Sequence, residues 1–136
     1  MAVQVLKDVT VSIGGVQLES LANSVTLNYE VESIDVTAFD GSGARKFTGG
    51  LVNLSAEIAL MQDFAAAKTE ATVYPLVGTT TTIIVKPTSG AVSATNPSYT
   101  ITGAYLASHT PVAGGVGELA MTTLSLTGGT LAKATS

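Results

Sequence analysis

The segment FDGSGARKFTGG, residues 39–50, carries the residue types in this chain that are most suggestive of chemistry. Four glycines surround two adjacent cations, Arg45 and Lys46, and glycine-rich loops of this kind cradle phosphates in nucleotide-binding folds. A P-loop requires the pattern GxxxxGK[ST], and no Gly-Lys-Ser/Thr sequence occurs in the chain. A dinucleotide-binding loop requires GxGxxG before a helix, whereas GSGARK at 41–46 lacks the third glycine and precedes a predicted strand. Phosphate binding is therefore disfavoured, although anion-binding backbone nests outside these motifs stay open.

His109 is the only histidine of the chain, which excludes a metal site built from several histidines. Spacing identifies no nucleophile and no orienting carboxylate for it, so we predict a surface residue at the end of a strand. No metal-ligand cluster can be identified either. The sequence therefore predicts a protein that is not an enzyme, with no catalytic residue, no metal site and no cofactor.

The residues Glu30, Glu32, Asp35 and Asp40 form the densest acidic group. Paired carboxylates can perform glycoside hydrolysis. However, the chain has no tryptophan and only 5% aromatic residues, which leaves few surfaces on which a sugar could stack. A calcium loop would need alternating Asp or Asn ligands and a terminal Glu, and residues 40–47 supply only Asp40. We interpret the acidic group as the solvated face of a strand.

The composition indicates one domain whose surface is unusually poor in charge. With 136 residues and 13.7 kDa, the chain is long enough to bury a single hydrophobic core. Charged residues make up 12% of the chain, about half of the roughly 25% that is typical of soluble domains. Two explanations stay open: partners cover much of the surface, since interface cores are depleted in charge, or the chain is a threonine-rich all-β protein.

Charge and segment composition exclude several classes of partner. The net charge is −4 and the pI is about 4.7, so the chain lacks the basic patch that nucleic-acid binding requires. The absence of cysteine excludes disulfides and thiolate chemistry. No basic segment precedes an apolar run at the N-terminus, and no stretch approaches the roughly 18 apolar residues of a membrane span. We expect a soluble protein without a recognisable export signal and without a membrane partner.

Alternation of apolar and polar residues predicts a chain made mainly of β-strands. Two glycines at 14–15 predict a tight hairpin. The parity of the apolar residues changes near residues 32–33 and again between 121 and 124, which predicts two β-bulges. The predicted strands cover residues 3–13, 16–18, 25–36, 52–60, 81–85, 98–108 and 118–127.

A single helix is predicted over residues 63–73, DFAAAKTEATV. Asp63 is a suitable N-cap, and Phe64, Ala67 and Ala71 form an apolar stripe at helical spacing. Residues 128–136 are predicted to form a flexible tail. The predicted fold class is mainly β: an antiparallel β-sandwich or barrel-like sandwich with one short α-helix and a long projecting hairpin loop.

The segment VESIDVTAFDGSGARKFTGGLVNLSAEIAL, residues 31–60, resembles the major tail tube proteins of long-tailed, siphovirus-like bacteriophages. Those proteins have a strand end of the form I/V-D-x-T-x-F, then a loop with a basic residue, and then a Gly-Leu pair that opens an alternating strand. Residues 34–39, Arg45 and Gly50-Leu51 occupy those places. The order of an N-terminal hairpin, one mid-chain helix and further strands agrees as well.

The resemblance implies that residues 1–136 form a single tail-tube-like β-sandwich domain of a structural virion protein. Subunits of that family assemble into rings, usually hexameric, which stack into a hollow tube through which DNA leaves the virion. The loop at 39–50 would then project onto neighbouring subunits, and Arg45 and Lys46 would meet an acidic surface there. The residues that we expect at subunit contacts are Asp35, Thr37, Phe39, Asp40, Arg45, Lys46 and Phe47.

The same resemblance implies the partners and the location of the protein. Its main partner would be itself, with further contacts to tail proteins such as the tape measure and the tail terminator. DNA would pass through the lumen without specific binding. The protein would be assembled in the host cytoplasm and reside in the virion tail. The alternative is a carbohydrate- or surface-binding β-sandwich module, which the low aromatic content disfavours.

Overall fold

The computed structural model describes residues 5–66 and 68–136 and consists mainly of β-strands. These residues also contain one short α-helix, α1 (Thr69–Val73), followed by a 3-10 turn at Tyr74–Leu76. No helix in this part of the chain is long and apolar enough to cross a membrane. The strands are β1 (Thr10–Ile13), β2 (Val16–Gln17), β3 (Ala22–Asp35), β4 (Phe47–Met61), β5 (Thr80–Lys86), β6 (Ser98–Ser108), β7 (Met121–Thr127) and β8 (Thr130–Ala134).

The strands form one antiparallel sheet with the order β2-β1-β5-β6-β7-β4-β3, and β8 pairs with β6. The sheet does not close into a barrel. Instead it curls, so that Val25 and Leu27 of β3 line one groove together with Val85 of β5 and Tyr99 of β6. This architecture confirms the predicted class, a mainly β, sandwich-like fold with one short helix.

The hydrophobic core is built on one face of β4. Successive side chains of a strand point to opposite faces, and Leu54, Ala56, Ile58 and Leu60 share the face that is turned inward. None of the four is more than 4% exposed, which confirms the alternation in the sequence. The core residues that meet them from other strands include Val11, Ile13, Ile83, Ile101, Leu106, Leu124 and Leu126.

The first hairpin turns at Gly14-Gly15 as predicted. Both glycines have positive φ angles, +60° and +88°, which side chains rarely tolerate. The strand predicted over residues 3–13 is shorter: β1 begins at Thr10, and residues 3 and 4 lie outside the described residues. The reason is the partner strand, because β5 ends at Lys86, opposite Thr10, immediately before a proline that has no N–H to donate.

The prediction of a flexible tail over residues 128–136 is wrong in part, because Thr130–Ala134 form β8. β7 and β8 follow the same edge of β6 one after the other, and the two glycines between them have positive φ angles of +77° and +93°. Gly128-Gly129 therefore do not end the regular structure. In the fold the pair instead redirects the chain, so that Leu131 pairs opposite Ile101 and packs against the core.

One predicted bulge is confirmed and the other is wrong. The β3–β4 pairing shifts register between Val31 and Ser33, and the extra residue lies on β4. The pairing of β7 with β4 runs from Met121 without a shift. Leu119, which suggested the second bulge, precedes β7 and is exposed. The polar Thr122 is buried on the same face of β7 as Leu124 and Leu126.

The helix predicted over residues 63–73 is also shorter, since α1 begins at Thr69. Asp63 does not cap it: its Oδ1 atom accepts a hydrogen bond from the N–H of Ala65 at 2.9 Å in a local turn. The start of α1 is instead fixed by tertiary contacts. The buried Thr69 hydroxyl donates to the carbonyl of Met61 at 2.8 Å, which ties the first turn to the end of β4.

We predict that the two glycines between β7 and β8 differ in their sensitivity to a side chain. Gly128→Ala has open space around its new Cβ and should lower the free energy of unfolding by about 1 kcal/mol, the cost of a positive φ. In Gly129→Ala the Cβ would lie 2.6 Å from the carbonyl oxygen of Thr102, so we expect a loss of about 2–4 kcal/mol. Chemical denaturation measures both, and equal losses would show that β8 does not pack as described.

Candidate functional site

The β3–β4 hairpin extends beyond the core and exposes apolar side chains on both of its faces. Antiparallel pairing continues to Asp35 opposite Phe47, well past the last buried residue of β4, Leu54. On the face that continues the core, Tyr29 is 59% exposed. The opposite face exposes Ile34. Exposed apolar surface of this extent marks a site of interaction. Its further members are Val31, Val36, Phe47, Leu51 and Val52.

The loop at the end of the hairpin covers residues 36–46, whereas the sequence predicted a loop at 39–50. The difference lies in Gly49 and Gly50, which belong to β4. A Cβ at Gly50 would come within 2.8 Å of the Ile34 Cδ1 atom, so this glycine permits close packing inside the hairpin instead of a turn.

The loop is closed at its base by hydrogen bonds between its two ends. The N–H of Val36 donates to the carbonyl of Lys46 at 2.9 Å. The Thr37 hydroxyl accepts the N–H of Lys46, also at 2.9 Å, and the N–H of Thr37 donates to Asp35 Oδ1. We call residues 35–47 the hairpin tip. Its ends are held by one backbone bond and by two bonds to side chains, so the tip is a defined structure in spite of its exposure.

Two ion pairs neutralise the hairpin tip. Arg45 Nη1 lies 3.0 Å from Asp35 Oδ2, and the ammonium group of Lys46 contacts the carboxylate of Asp40. These are the only four charged residues between 35 and 47, so the tip has no net charge. Arg45 and Lys46, which we expected to meet an acidic neighbour, each already have a carboxylate partner within their own chain.

Both carboxyl groups are held in their ionised form. The Lys46 ammonium, and after it the N–H of Ser42, lower the pKa of Asp40 to about 2. The hydroxyl and N–H of Thr37, with a smaller effect of Arg45, lower the pKa of Asp35. Between Asp40 and Arg45 the chain turns through Gly41 and Gly43, whose φ angles are +79° and +72°. Side chains rarely tolerate such angles, so the backbone conformation of the tip accounts for glycine at both positions.

The structure places five of the seven predicted contact residues in one network, namely Asp35, Thr37, Asp40, Arg45 and Lys46. The other two are aromatic and stand apart from it. Phe47 pairs opposite Asp35 and is 59% exposed. Phe39 is fully exposed and has no packing partner that would shield it. The protruding element of the tip is therefore an aromatic ring supported by a neutral loop.

His109 lies in a buried polar cluster, so the prediction of a surface residue is wrong. Its Nδ1 atom is 3.0 Å from the Thr122 hydroxyl and its Nε2 atom is 3.2 Å from Glu70 Oε2. This order of hydroxyl, imidazole and carboxylate resembles a catalytic triad. However, Thr122 is 1% exposed and its oxygen accepts the N–H of Thr110, so no substrate can reach it.

The cluster joins elements that are far apart in the sequence, which is why spacing gave no signal for it. Glu70 lies on α1, His109 follows β6 and Thr122 lies on β7. Its contacts connect α1 to β7 and to the segment after β6. Among the described residues, no group of three or more His, Asp or Glu side chains could hold a metal ion.

Comparison with solved structures finds the same fold in tail-like assemblies. A chain of the PVC sheath/tube terminator matches with a TM-score of 0.71 and 16% identity, covering 96% of each chain. A chain of the anti-feeding prophage tube terminating cap matches with a TM-score of 0.71 and 16% identity, covering 100% of this chain and 95% of the other. The present chain shares their fold.

A third match comes from the tail of an empty GTA particle with C6 symmetry, with a TM-score of 0.56 and 21% identity over 85% of this chain and 83% of the other. These structures are tube, cap and tail assemblies and not enzymes. No protein-family model matches the chain, and no curated protein does.

We predict that Asp40 titrates near pH 2 in the folded protein. Its pKa is lowered from the usual 3.8, so the stabilisation that it gives the tip is complete above about pH 4 and is lost as the pH falls through about 2. Carboxyl-carbon NMR shifts measure the midpoint. Lys46→Ala should move it back toward the ordinary value, and a midpoint that stays the same would contradict the assignment of Lys46 as the main cause.

We predict that the Thr122 hydroxyl stabilises the fold through hydrogen bonds. Thr122→Val keeps the shape but leaves the N–H of Thr110 and Nδ1 of His109 without their partner, which should lower the free energy of unfolding by about 1–3 kcal/mol. The control is Thr123→Val on the exposed face of the same strand, with an expected change within about 0.5 kcal/mol. Equal effects in denaturant titrations would contradict the role of the cluster.

Proposed function

We propose that this protein is a structural virion protein that self-assembles into stacked hexameric rings, forming a phage tail tube that conducts DNA. One observation carries the proposal: the hairpin exposes apolar side chains on both faces beyond the core, in a fold shared with chains of tube, cap and tail assemblies. Covering such surface with a partner is favourable. In a tube, other copies of the chain supply that cover.

Ring formation is supported by the position of β3. This strand stands at one end of the sheet order and pairs only with β4 in the described part of the chain. An unpaired strand edge is a template for pairing with another chain. A contact between unlike surfaces of successive copies closes into a ring when the rotation fits a full turn. The C6 symmetry of the matched GTA tail supports a ring of six.

A channel for DNA is supported by the outward face of β3, β4 and β7. This face is turned away from the core and presents Glu30, Glu32 and Glu57. Its other residues on the three strands are mainly Ser, Thr and Asn, and none is Lys or Arg. A surface with only negative charge repels phosphates. We propose that it lines the lumen, so that DNA slides past without specific binding.

The remaining partners follow from a tube with two ends and a filled interior. We propose contacts with a tail terminator at one end and with a tape measure protein inside the lumen. The match to a tube terminating cap and to a sheath/tube terminator supports the idea that the same fold serves at tube ends. The location would be the virion tail, after assembly in the host cytoplasm.

We predict that the purified protein forms rings or tubes that are visible by negative-stain electron microscopy. A strictly monomeric species at high concentration and at all salt conditions would contradict the proposal. Arg45→Glu with Lys46→Glu places new carboxylates beside Asp35 and Asp40, and the repulsion should open the tip and block stacking while the subunit stays folded.

The control for this variant is Lys68→Glu with Lys86→Glu, which changes the net charge equally but lies outside the hairpin. It should still assemble. Circular dichroism verifies that both variants keep their β-structure. Loss of that signal in the tip variant, or equal assembly of the two variants, would contradict a role of the tip in subunit contacts.

A further inference from the structure

The structure contains an apolar groove that is suited to the hairpin tip of another copy. The groove has a volume of about 440 Å³, and none of the described residues that line it is charged. It opens where the curled sheet fails to close, between β3 on one side and β5, β6 and β8 on the other. The lining residues on these strands are Val25, Leu27, Tyr29, Val85, Tyr99 and Leu131.

The groove is of the right kind for a single aromatic anchor. Cavities of this size and apolar lining bind compact apolar groups. Aromatic side chains that fill such pockets carry much of the energy of protein interfaces. The candidate anchor is Phe39, which is fully exposed and sits on a tip without net charge. An uncharged lining and a neutral tip can meet without burying an unpaired ion.

The tip cannot fill the groove of its own chain. Tyr29 lines the groove, and the paired strand from Tyr29 to Asp35 carries the chain away from it by about 20 Å. The ladder to β4 shifts register between Val31 and Ser33 but continues to Asp35 opposite Phe47, and Phe39 beyond it is fully exposed. The anchor that reaches the groove must therefore come from a second copy of the protein.

A second feature beside the groove complements the charged part of the tip. An adjoining cavity of about 670 Å³ shares Leu6, Val9 and Val25 with the groove, and its charged lining residues are Lys7, Asp8 and Glu19. The Glu19 Oε2 atom is buried and has no hydrogen-bond partner among the described residues. Arg45 uses only Nη1 toward Asp35, and its side chain is 76% exposed, so its other N–H groups are free to donate.

We infer that the hairpin tip of one copy docks in the groove of the next, with Phe39 between β3 and β5–β6 and Arg45 donating to Glu19. The inference rests on the proposed self-assembly and adds the surface of the second copy that receives the tip. The two surfaces differ, so the contact repeats from head to tail. Such a contact extends an assembly without limit unless it closes, as stacking of rings requires.

Cross-linking tests this contact, because the natural chain has no cysteine to interfere. Ala38→Cys with Val85→Cys places one thiol beside Phe39 and one in the groove, and keeps the aromatic anchor. A short bis-maleimide should convert assembled protein into a ladder of covalent multimers on denaturing gels. The matched control is Ala66→Cys with Val85→Cys, which places the first thiol on another exposed loop and should give no ladder.

The outcomes separate this inference from the proposed function. Particles that assemble without a ladder, or with the same ladder in the control, would assign the groove to another occupant and overturn the inference alone. Protein that does not assemble at all would overturn both the proposed function and this inference.

Substitution of the anchor gives the second measurement. Phe39→Ala should raise the concentration needed for assembly at least about tenfold, whereas Phe64→Ala, at another exposed phenylalanine, should leave it unchanged. Glu19→Gln should weaken assembly at low salt and reduce its dependence on salt, because it removes a charge from the contact. If Phe39→Ala and Phe64→Ala need the same concentration for assembly, Phe39 is not the anchor. If Glu19→Gln assembles like the natural protein at low and high salt, the ion pair does not form.

Discussion

The pairing of β3 with β4 is the interaction on which the rest of the structure depends, because one ladder serves two environments. Near Ala22 and Leu27 its apolar face is covered by the core, and from Tyr29 outward the same face meets solvent. The backbone bonds do not change at this boundary. The ladder continues through the projecting half, with a register shift between Val31 and Ser33, so the core anchors the two strands that carry the tip.

The hairpin tip shows how a protein with few charges can keep an exposed loop well defined. Only 12% of the residues are charged, yet four charged residues form two ion pairs within residues 35–47. Exposed ion pairs contribute little to stability. Their effect here is to remove the net charge of the tip, so that Phe39 protrudes from a neutral surface.

The sequence predicted those parts of the fold that depend on local pattern. Alternation identified β4 and its inward residues, and Gly14-Gly15 and the parity change at residues 32–33 located a turn and a bulge. Each of these signals is carried by neighbouring residues, so one strand or one turn is enough to show it. The tail tube resemblance likewise came from one continuous segment, and the fold shared with tail-like assemblies agrees with it.

The parts that could not be predicted depend on residues distant in the chain. β8 exists because β6 offers an open edge to Leu131, and α1 begins where Thr69 reaches the end of β4. The burial of His109 requires Glu70 and Thr122, which a linear pattern does not bring together. At the candidate site the residues were identified but their partners were not, because nothing in the spacing showed that Arg45 would pair with Asp35.

The position of β8 as the last strand in the sequence means that the groove is completed later in synthesis than the hairpin. β6 pairs with β5, β7 and β8, and β8 follows all the other strands in the sequence. Because Leu131 lines the groove, the groove is unfinished on any chain that ends before β8. Chains fold from the N-terminus as they are made, so the projecting hairpin can form well before the groove. In the proposed contact, a nascent subunit would thus expose its tip first and become able to receive the tip of another copy only when β8 has been added.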